Sequence, residues 1–386
     1  MRPKPIRQSV DSAALVVLIV AVCYGTFLGL LLRNRGGDIS IFVVAAGPGV
    51  DATKVPPGLT VRRDIGGYDG AAFYRLALDP FTRTETAFGI TLDNPPYRQQ
   101  RIGYPFLVYC LAHGHSSWVP ALLVLVNFAA LLALGALGAR VAQQAGQHAL
   151  WGLIFPFYPG FLLSLSRDLS EIVACAFALA AILAIQSRRA LAAGLLLSAA
   201  LLTRETFLVM VLAMAAVFVV QACRRLPSRP AVVAFGAPLA IYVGWQLRLA
   251  SVWGVTPAQA GAPRFTIPFV EYMRFLDASS SLRRAARLNF AEAFFFAIVT
   301  FLIIAAWRSS RSPVEWRVAW VAYFALGATL PHSVWYEDVG FVRVLADFYL
   351  LSAVLVVTAS RTARATLAVP TFALWYYLAE HLVKYG

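Results

Sequence analysis

The sequence predicts an all-α polytopic membrane protein, and three observations predict it. The chain of 386 residues is 60% hydrophobic and only 13% charged, and its mean hydropathy is +0.69, more apolar surface than one water-soluble core can hide. Apolar runs of roughly 17–25 residues, each long enough to cross about 30 Å of hydrocarbon as a helix, recur from end to end. The Lys and Arg residues sit mainly between these runs, as the positive-inside rule requires. Lipid offers no partner to backbone N–H and C=O groups, so each run is expected to satisfy its own as a helix.

In chain order, about eleven spans are expected, near residues 12–32, 117–139, 149–165, 169–187, 189–203, 205–222, 231–249, 290–307, 317–331, 341–358 and 364–381, within one integral domain over 1–386. The first follows a basic N-terminus, MRPKPIRQSV, and is too long for a cleaved signal peptide, so it reads as a retained signal anchor. With the N-terminus cytoplasmic, Arg140, the pair Arg188/Arg189, the clusters Arg224/Arg225/Arg229 and Arg308/Arg311/Arg317, and Arg361/Arg364 all fall on the inner side. The formal net charge of +14 could belong to a nucleic-acid binder, but its placement in short loops argues for membrane topology and against a nucleic-acid partner. Cys23, Cys110, Cys175 and Cys223 lack metal-ligand spacing and read as small buried hydrophobes. The outer side receives a long loop over 33–101 and a second over 250–289. Residues 102–112 are apolar but too short to span, and are expected along the outer interface.

This register gathers the acids. Asp64, Asp69, Asp79, Asp93, Asp168, Glu171, Glu205, Glu337, Asp338 and Asp347 all fall at or near the outer face, where carboxylates close to a bilayer usually serve function. In GGYDGAAFYRLALDP, residues 66–80, the glycines are expected to make a tight turn presenting Tyr68 and Asp69 before a short interfacial helix; Asp69 would serve as a base or merely cap that helix, with Asp64 the runner-up base. Arg98 and Arg101, in LDNPPYRQQRIGYP, would hold phosphate or snorkel at the interface. Asp168 and Glu171 are three apart and are expected to share one helical face at the tip of a hairpin. In LLTRETF, Arg204 breaks the inside bias for basic residues, and with Glu205 it forms either a structural pair or part of a site. His332, Glu337 and Asp338 precede a span carrying Arg343 and Asp347, four apart and free to pair on the helix, while an arginine there would also suit a phosphate leaving group.

The sequence has no Walker A loop, no HExxH, no G-x-S-x-G and no dinucleotide fingerprint. The layout resembles the GT-C superfamily of integral membrane glycosyltransferases, which take a sugar from a polyprenyl-phosphate carrier. YDGAAFYRLA is similar to the first-loop motif of the GPI mannosyltransferase group and its bacterial relatives; FPFYPGFL, Ser170-Glu171 and GLLLSAALLTRETF resemble later segments in the same order. The resemblance covers residues 60–215; the C-terminal half matches only in an arginine near the start of a late span, and Gly70 stands after Asp69 where protein O-mannosyltransferases carry a second acid.

The resemblance implies Asp69 as the acid of the first loop, Glu171 as the hairpin acid and Arg204 as the arginine after the following span. The expectation is an inverting transfer of mannose or another hexose or pentose, from a polyprenyl-phosphate donor to a glycan, lipid or protein acceptor. Asp69 would deprotonate the acceptor, Arg204 and Arg343 would receive the phosphate with Arg98 or Arg101 guiding it, and Asp168, Glu171, Glu205, Tyr68 and His332 would orient sugar or acceptor. No metal ligand set is expected, although a divalent cation such as Mg or Mn is compatible with carboxylates on one face. The Ala/Leu/Arg-heavy composition suggests a bacterial inner membrane with the site facing outward. A lipid-linked sugar transporter, flippase or polymerase is the alternative, although neither midplane-broken helices nor an inverted repeat stands out.

Overall fold

The computed structural model describes residues 10–63, 66–222, 229–261, 265–279, 284–335 and 340–385, and nearly all of its regular structure is α-helix. After α1 (Val10–Asn34) comes a folded loop with α2 (Asp69–Leu78), an antiparallel hairpin of β1 (Thr86–Ala87) and β2 (Ile90–Thr91), and α3 (Pro95–Gln99). Next are α4 (Gly103–Ala112), α5 (Val119–Gln144), α6 (Gly160–Ser166), α7 (Glu171–Gln186), α8 (Ala190–Thr203), α9 (Phe207–Ala222) and α10 (Arg229–Trp253). The second loop contains α11 (Pro257–Ala260) and α12 (Val270–Ser279), followed by α13 (Arg284–Ala306), α14 (Val314–Ala328), α15 (His332–Trp335), α16 (Gly340–Val344), α17 (Ala346–Val357) and α18 (Arg361–Tyr385).

Among the described residues, three helical stretches are both long and apolar enough to cross a membrane: Ser12–Asn34, Ser116–Gln144 and Val232–Trp253. The other apolar helices are shorter. The 16 residues of α7 and the 14 of α8 extend only about 24 and 21 Å at about 1.5 Å per residue, less than the roughly 30 Å hydrocarbon core. The all-helical expectation therefore holds, while the span count rests on helices of unequal reach.

Two expected spans differ from single helices. Residues 149–165 form a 3-10 turn over Ala149–Ile154 and then α6, because Pro156 and Pro159 interrupt the run. The turn lies tight on α5, where a Cβ on Gly138 would come 2.6 Å from the Gly152 carbonyl oxygen. Residues 341–358 split into α16 and α17 at Leu345. The second loop is also shorter than 250–289, since α10 runs on to Trp253 and α13 begins at Arg284.

Two apolar helices expected at the interface lie deeper. α2 buries Phe73, Tyr74, Arg75 and Leu76 rather than anchoring them outward, and Arg75 donates to Thr82 Oγ1 at 2.6 Å. α4 packs against α2, α5 and α8, and only one side of it, with Phe106, Tyr109 and Leu111, is exposed. The densest part of the core is α7, packed against α5 and α8 and buried along most of its length, as its Ala- and Leu-rich sequence EIVACAFALAAILAIQ allows.

The two ends of the bundle differ in chemistry. At one end, the loop after α1, the start of α7 and the ends of α8 and α10 meet, with Trp253 Nε1 donating to Gln99 and Gln246 to Gln100. At the other, Ser310 and Ser312, before α14, bond to Thr358 at the end of α17, and Arg317 donates to the Ser310 carbonyl. Asp347, in the first turn of α17, and its C-cap Thr358 are separated by about 16 Å of helix.

Candidate functional site

Asp69 is delivered by close backbone packing more than by a tight turn. A Cβ at Gly67 would collide with the Ala46 carbonyl oxygen, and one at Gly70 with those of Arg167 and Val43. Glycine at both positions lets GGYDG slide between two backbone segments and seats the start of α2 on the α6–α7 turn. Tyr68 holds the N-cap position without a side-chain cap bond, and Asp69 is the first helical residue, where the helix dipole favours a carboxylate. Its side chain turns to arginines instead of capping.

Three guanidinium groups meet that carboxylate. Arg98 Nη1 pairs with Oδ1, Arg343 Nη1 lies 3.3 Å and Arg101 Nη1 3.7 Å from Oδ2. Each arginine has a second anchor. Arg98 donates twice to Asp93, at 2.8 and 2.9 Å; Arg101 donates twice to Glu205, at 2.7 and 2.6 Å, and once to the Tyr97 hydroxyl at 2.6 Å; Arg343 reaches Glu171 Oε1 at 3.1 Å. Glu171 also accepts from Arg204 at 2.5 Å and from Ser164 at 3.2 Å. Arg204 in turn donates to Thr206 at 2.9 Å and to the Val344 carbonyl at 3.1 Å, and lies 3.5 Å from Asp347, which accepts from Thr206. The result is one chain of alternating charge drawn from α2, α3, α7, α16, α17 and three connecting segments.

Burial alone would raise the Asp69 carboxyl; the Arg343, Arg98 and Arg101 guanidiniums outweigh it and hold the group well below the usual carboxylate range. For Arg98, burial is opposed and exceeded by its bonds to Asp93 and the charge of Asp69, so it stays fully protonated. The Asp69 carboxylate and the Arg98 guanidinium are therefore both charged at neutral pH, and Asp69, Arg98, Arg101, Arg204, Glu205 and Arg343 line a cavity of about 1430 Å³. One wall of the cavity is the charged chain; the others carry Tyr242, Tyr323, Leu208, Phe265, Leu326 and Leu330. Polar groups converging on one side of an otherwise apolar cleft are what an amphiphilic ligand requires.

The structure brings together Asp69, Arg98, Arg101, Glu171, Arg204, Glu205 and Arg343. Tyr68 joins them through its ring, which lies under the guanidiniums of Arg343 at 4.9 Å and Arg167 at 4.4 Å. His332 lines the same cavity but bonds to Glu271, 3.1 Å away, which also accepts from Arg274 at 2.8 Å. Asp64, Glu337 and Asp338 lie outside the described residues.

Asp168 departs from expectation. It does not share a helical face with Glu171: α6 ends at Ser166, α7 begins at Glu171, and Asp168 sits in the turn between them with φ of 51°. Its side chain is fully buried away from the cavity, neither oxygen has a hydrogen-bond partner among the described residues, and burial pushes its carboxyl well up. It makes no hydrogen bond to the cluster and does not line the cavity.

Two local pairings are also replaced. Arg343 does not pair with Asp347 along a helix, because the break at Leu345 turns them apart, toward Asp69 and Arg204 respectively. Arg204 and Glu205 do not pair with each other either, their partners being Glu171 and Arg101. Asp93, Tyr97 and Thr206 were not singled out as site residues. Asp93 and Tyr97 had a signal in standing five and one residues before Arg98, around the helix start at Pro95; Thr206, adjacent to Arg204-Glu205, had none.

A divalent cation does not fit at Asp69, since both its oxygens face guanidinium groups. Among the described residues, no group of three or more His, Cys, Asp or Glu side chains is placed to hold a metal. No protein-family model, curated protein or solved structure matches the chain.

Proposed function

We propose that the protein is an integral membrane glycosyltransferase of GT-C type, moving a sugar from a polyprenyl-phosphate donor to an acceptor at the outer end of its bundle. One observation carries the reading: a carboxylate, Asp69, and four arginines, Arg98, Arg101, Arg204 and Arg343, share one wall of a large cavity whose other walls are largely apolar. Such a cavity suits a ligand with an anionic head and a lipid tail. The resemblance of YDGAAFYRLA and LLTRETF to the GT-C segments supports the same assignment of Asp69 and Arg204.

In this reading the acceptor hydroxyl, oriented by Tyr68, loses its proton to Asp69 and attacks the anomeric carbon. The bond to the phosphate oxygen breaks, and the lipid phosphate leaves carrying the extra negative charge. A phosphate is already a fair leaving group, so the arginines contribute mainly position and charge stabilisation. Glu171, held by Arg204 and Arg343, keeps both guanidiniums aimed at the cavity. About eleven crossings with a cytoplasmic N-terminus would put the Arg317 turn inside and the cluster outside, in a bacterial inner membrane.

The test is transfer of a labelled sugar from a polyprenyl-phosphate donor by purified wild type and Asp69→Asn. The variant is expected to lose roughly 10²–10⁴-fold in rate, the contribution of a general base. Unchanged transfer removes Asp69 from the chemistry.

A further inference from the structure

The three arginines around Asp69 point the same atom at it. Nη1 of Arg98 and Arg101, from α3 and the turn after it, and of Arg343, from α16, converges on one carboxylate, while the remaining nitrogens of Arg98 and Arg101 are fixed bidentately by Asp93 and Glu205, and Arg343 is held by Glu171. The guanidiniums therefore do not need Asp69 to stay where they are. A trio of pre-positioned donors on a cavity wall is the arrangement that binds a tetrahedral oxyanion, which offers more oxygens to such a trio than a carboxylate does. Asp69, 15% exposed at the cavity wall, is the most exposed to exchange of the carboxylates that touch Arg343.

We propose that Asp69 is a resident anion in a three-arginine phosphate socket, and that a phosphate-bearing ligand must displace it before its carboxylate is free to accept a proton. The inference deepens the glycosyltransferase reading and rests on it only for the role of Asp69 after release. While Asp69 is held by three guanidiniums it is a weak base; a phosphate that takes those donors keeps the socket neutralised and leaves Asp69 without them. The free protein is thus self-blocked, and its base is unmasked by the donor's own head group. The ligand is a phosphate ester, and its source is either a lipid head group or free phosphate.

The test measures binding of inorganic phosphate and of farnesyl phosphate to the full chain in detergent micelles, for wild type and Asp69→Asn. Removing the internal competitor is expected to tighten at least one of them about tenfold or more. A gain for both identifies the bare phosphate as the ligand, and a gain for farnesyl phosphate alone identifies a lipid head group. Unchanged or weakened affinity for both overturns the proposal. Should the variant not fold, a structure of wild type with farnesyl phosphate decides: Asp69 parted from Arg98, Arg101 and Arg343, with the Asp93 and Glu205 pairs intact, supports the socket, and phosphate bound with Asp69 still on its arginines overturns it. A variant that binds phosphate more tightly yet still transfers sugar sinks the catalytic reading and leaves the socket standing; loss of transfer without tighter binding does the reverse.

Discussion

The charge network has two arcs made of the same residue types in different surroundings. In the arc Asp93–Arg98–Asp69, with Arg101–Glu205 beside it, side-chain exposure runs from 68% at Asp93 to 12% at Arg101. In the arc Glu171–Arg204–Asp347, it is 2–5%. A buried pair that loses one member leaves an uncompensated charge in a poor solvent, whereas a pair on a cavity wall can trade its partner for water or ligand. The inner arc therefore acts as scaffold, and the outer arc is the part able to change partners.

The sharpest way to break that division is Glu171→Ala. It strips both Arg204 and Arg343 of a buried partner and is expected to cost about 3–5 kcal/mol of stability, read as the shift in denaturant midpoint in micelles. A loss no larger than that of Asp69→Asn would erase the distinction between the arcs.

Next in size is a difference in the sign of pH dependence. Asp69 has a depressed folded-state pKa, so the stability it contributes is present above the ordinary Asp value of about 3.9 and is lost as pH falls. The stability gap between wild type and Asp69→Asn should accordingly stay nearly constant from pH ~7 to pH ~5 and shrink only as pH falls below about 4. A gap that widened instead would mean Asp69 is protonated in the native protein.

The smallest effect is expected at Asp168, whose pKa is raised, so that its contribution is present below the ordinary Asp value and lost as pH rises. Asp168→Asn should therefore be neutral near pH ~4 and stabilising near pH ~7, on the order of 1–2 kcal/mol. Marked destabilisation at neutral pH would reveal an ionised Asp168 with a partner, and with it a place in the network.

Much of the site was legible because the membrane restricts where charge can lie. Asp69, Glu171, Arg204 and Arg343 each stood out as a charged residue beside or within apolar runs, and the structure places all four in one cluster. What could not be read was who pairs with whom. Neighbour rules along a helix suggested Arg343 with Asp347 and Asp168 beside Glu171, and both fail at a local break: Leu345 in one case, the left-handed Asp168 in the other. Asp93 is one outer-face acid among several in the sequence, and only the fold sets it as the second anchor of Arg98.

Helix content follows from the sequence alone, because it depends on short-range quantities: the length and polarity of each run. The convergence of three arginines on one aspartate belongs to the tertiary structure. It depends on Gly67 and Gly70 letting one loop slide between the backbones of two others, and on a helix that stops one residue short of continuing, neither of which is written in any single segment.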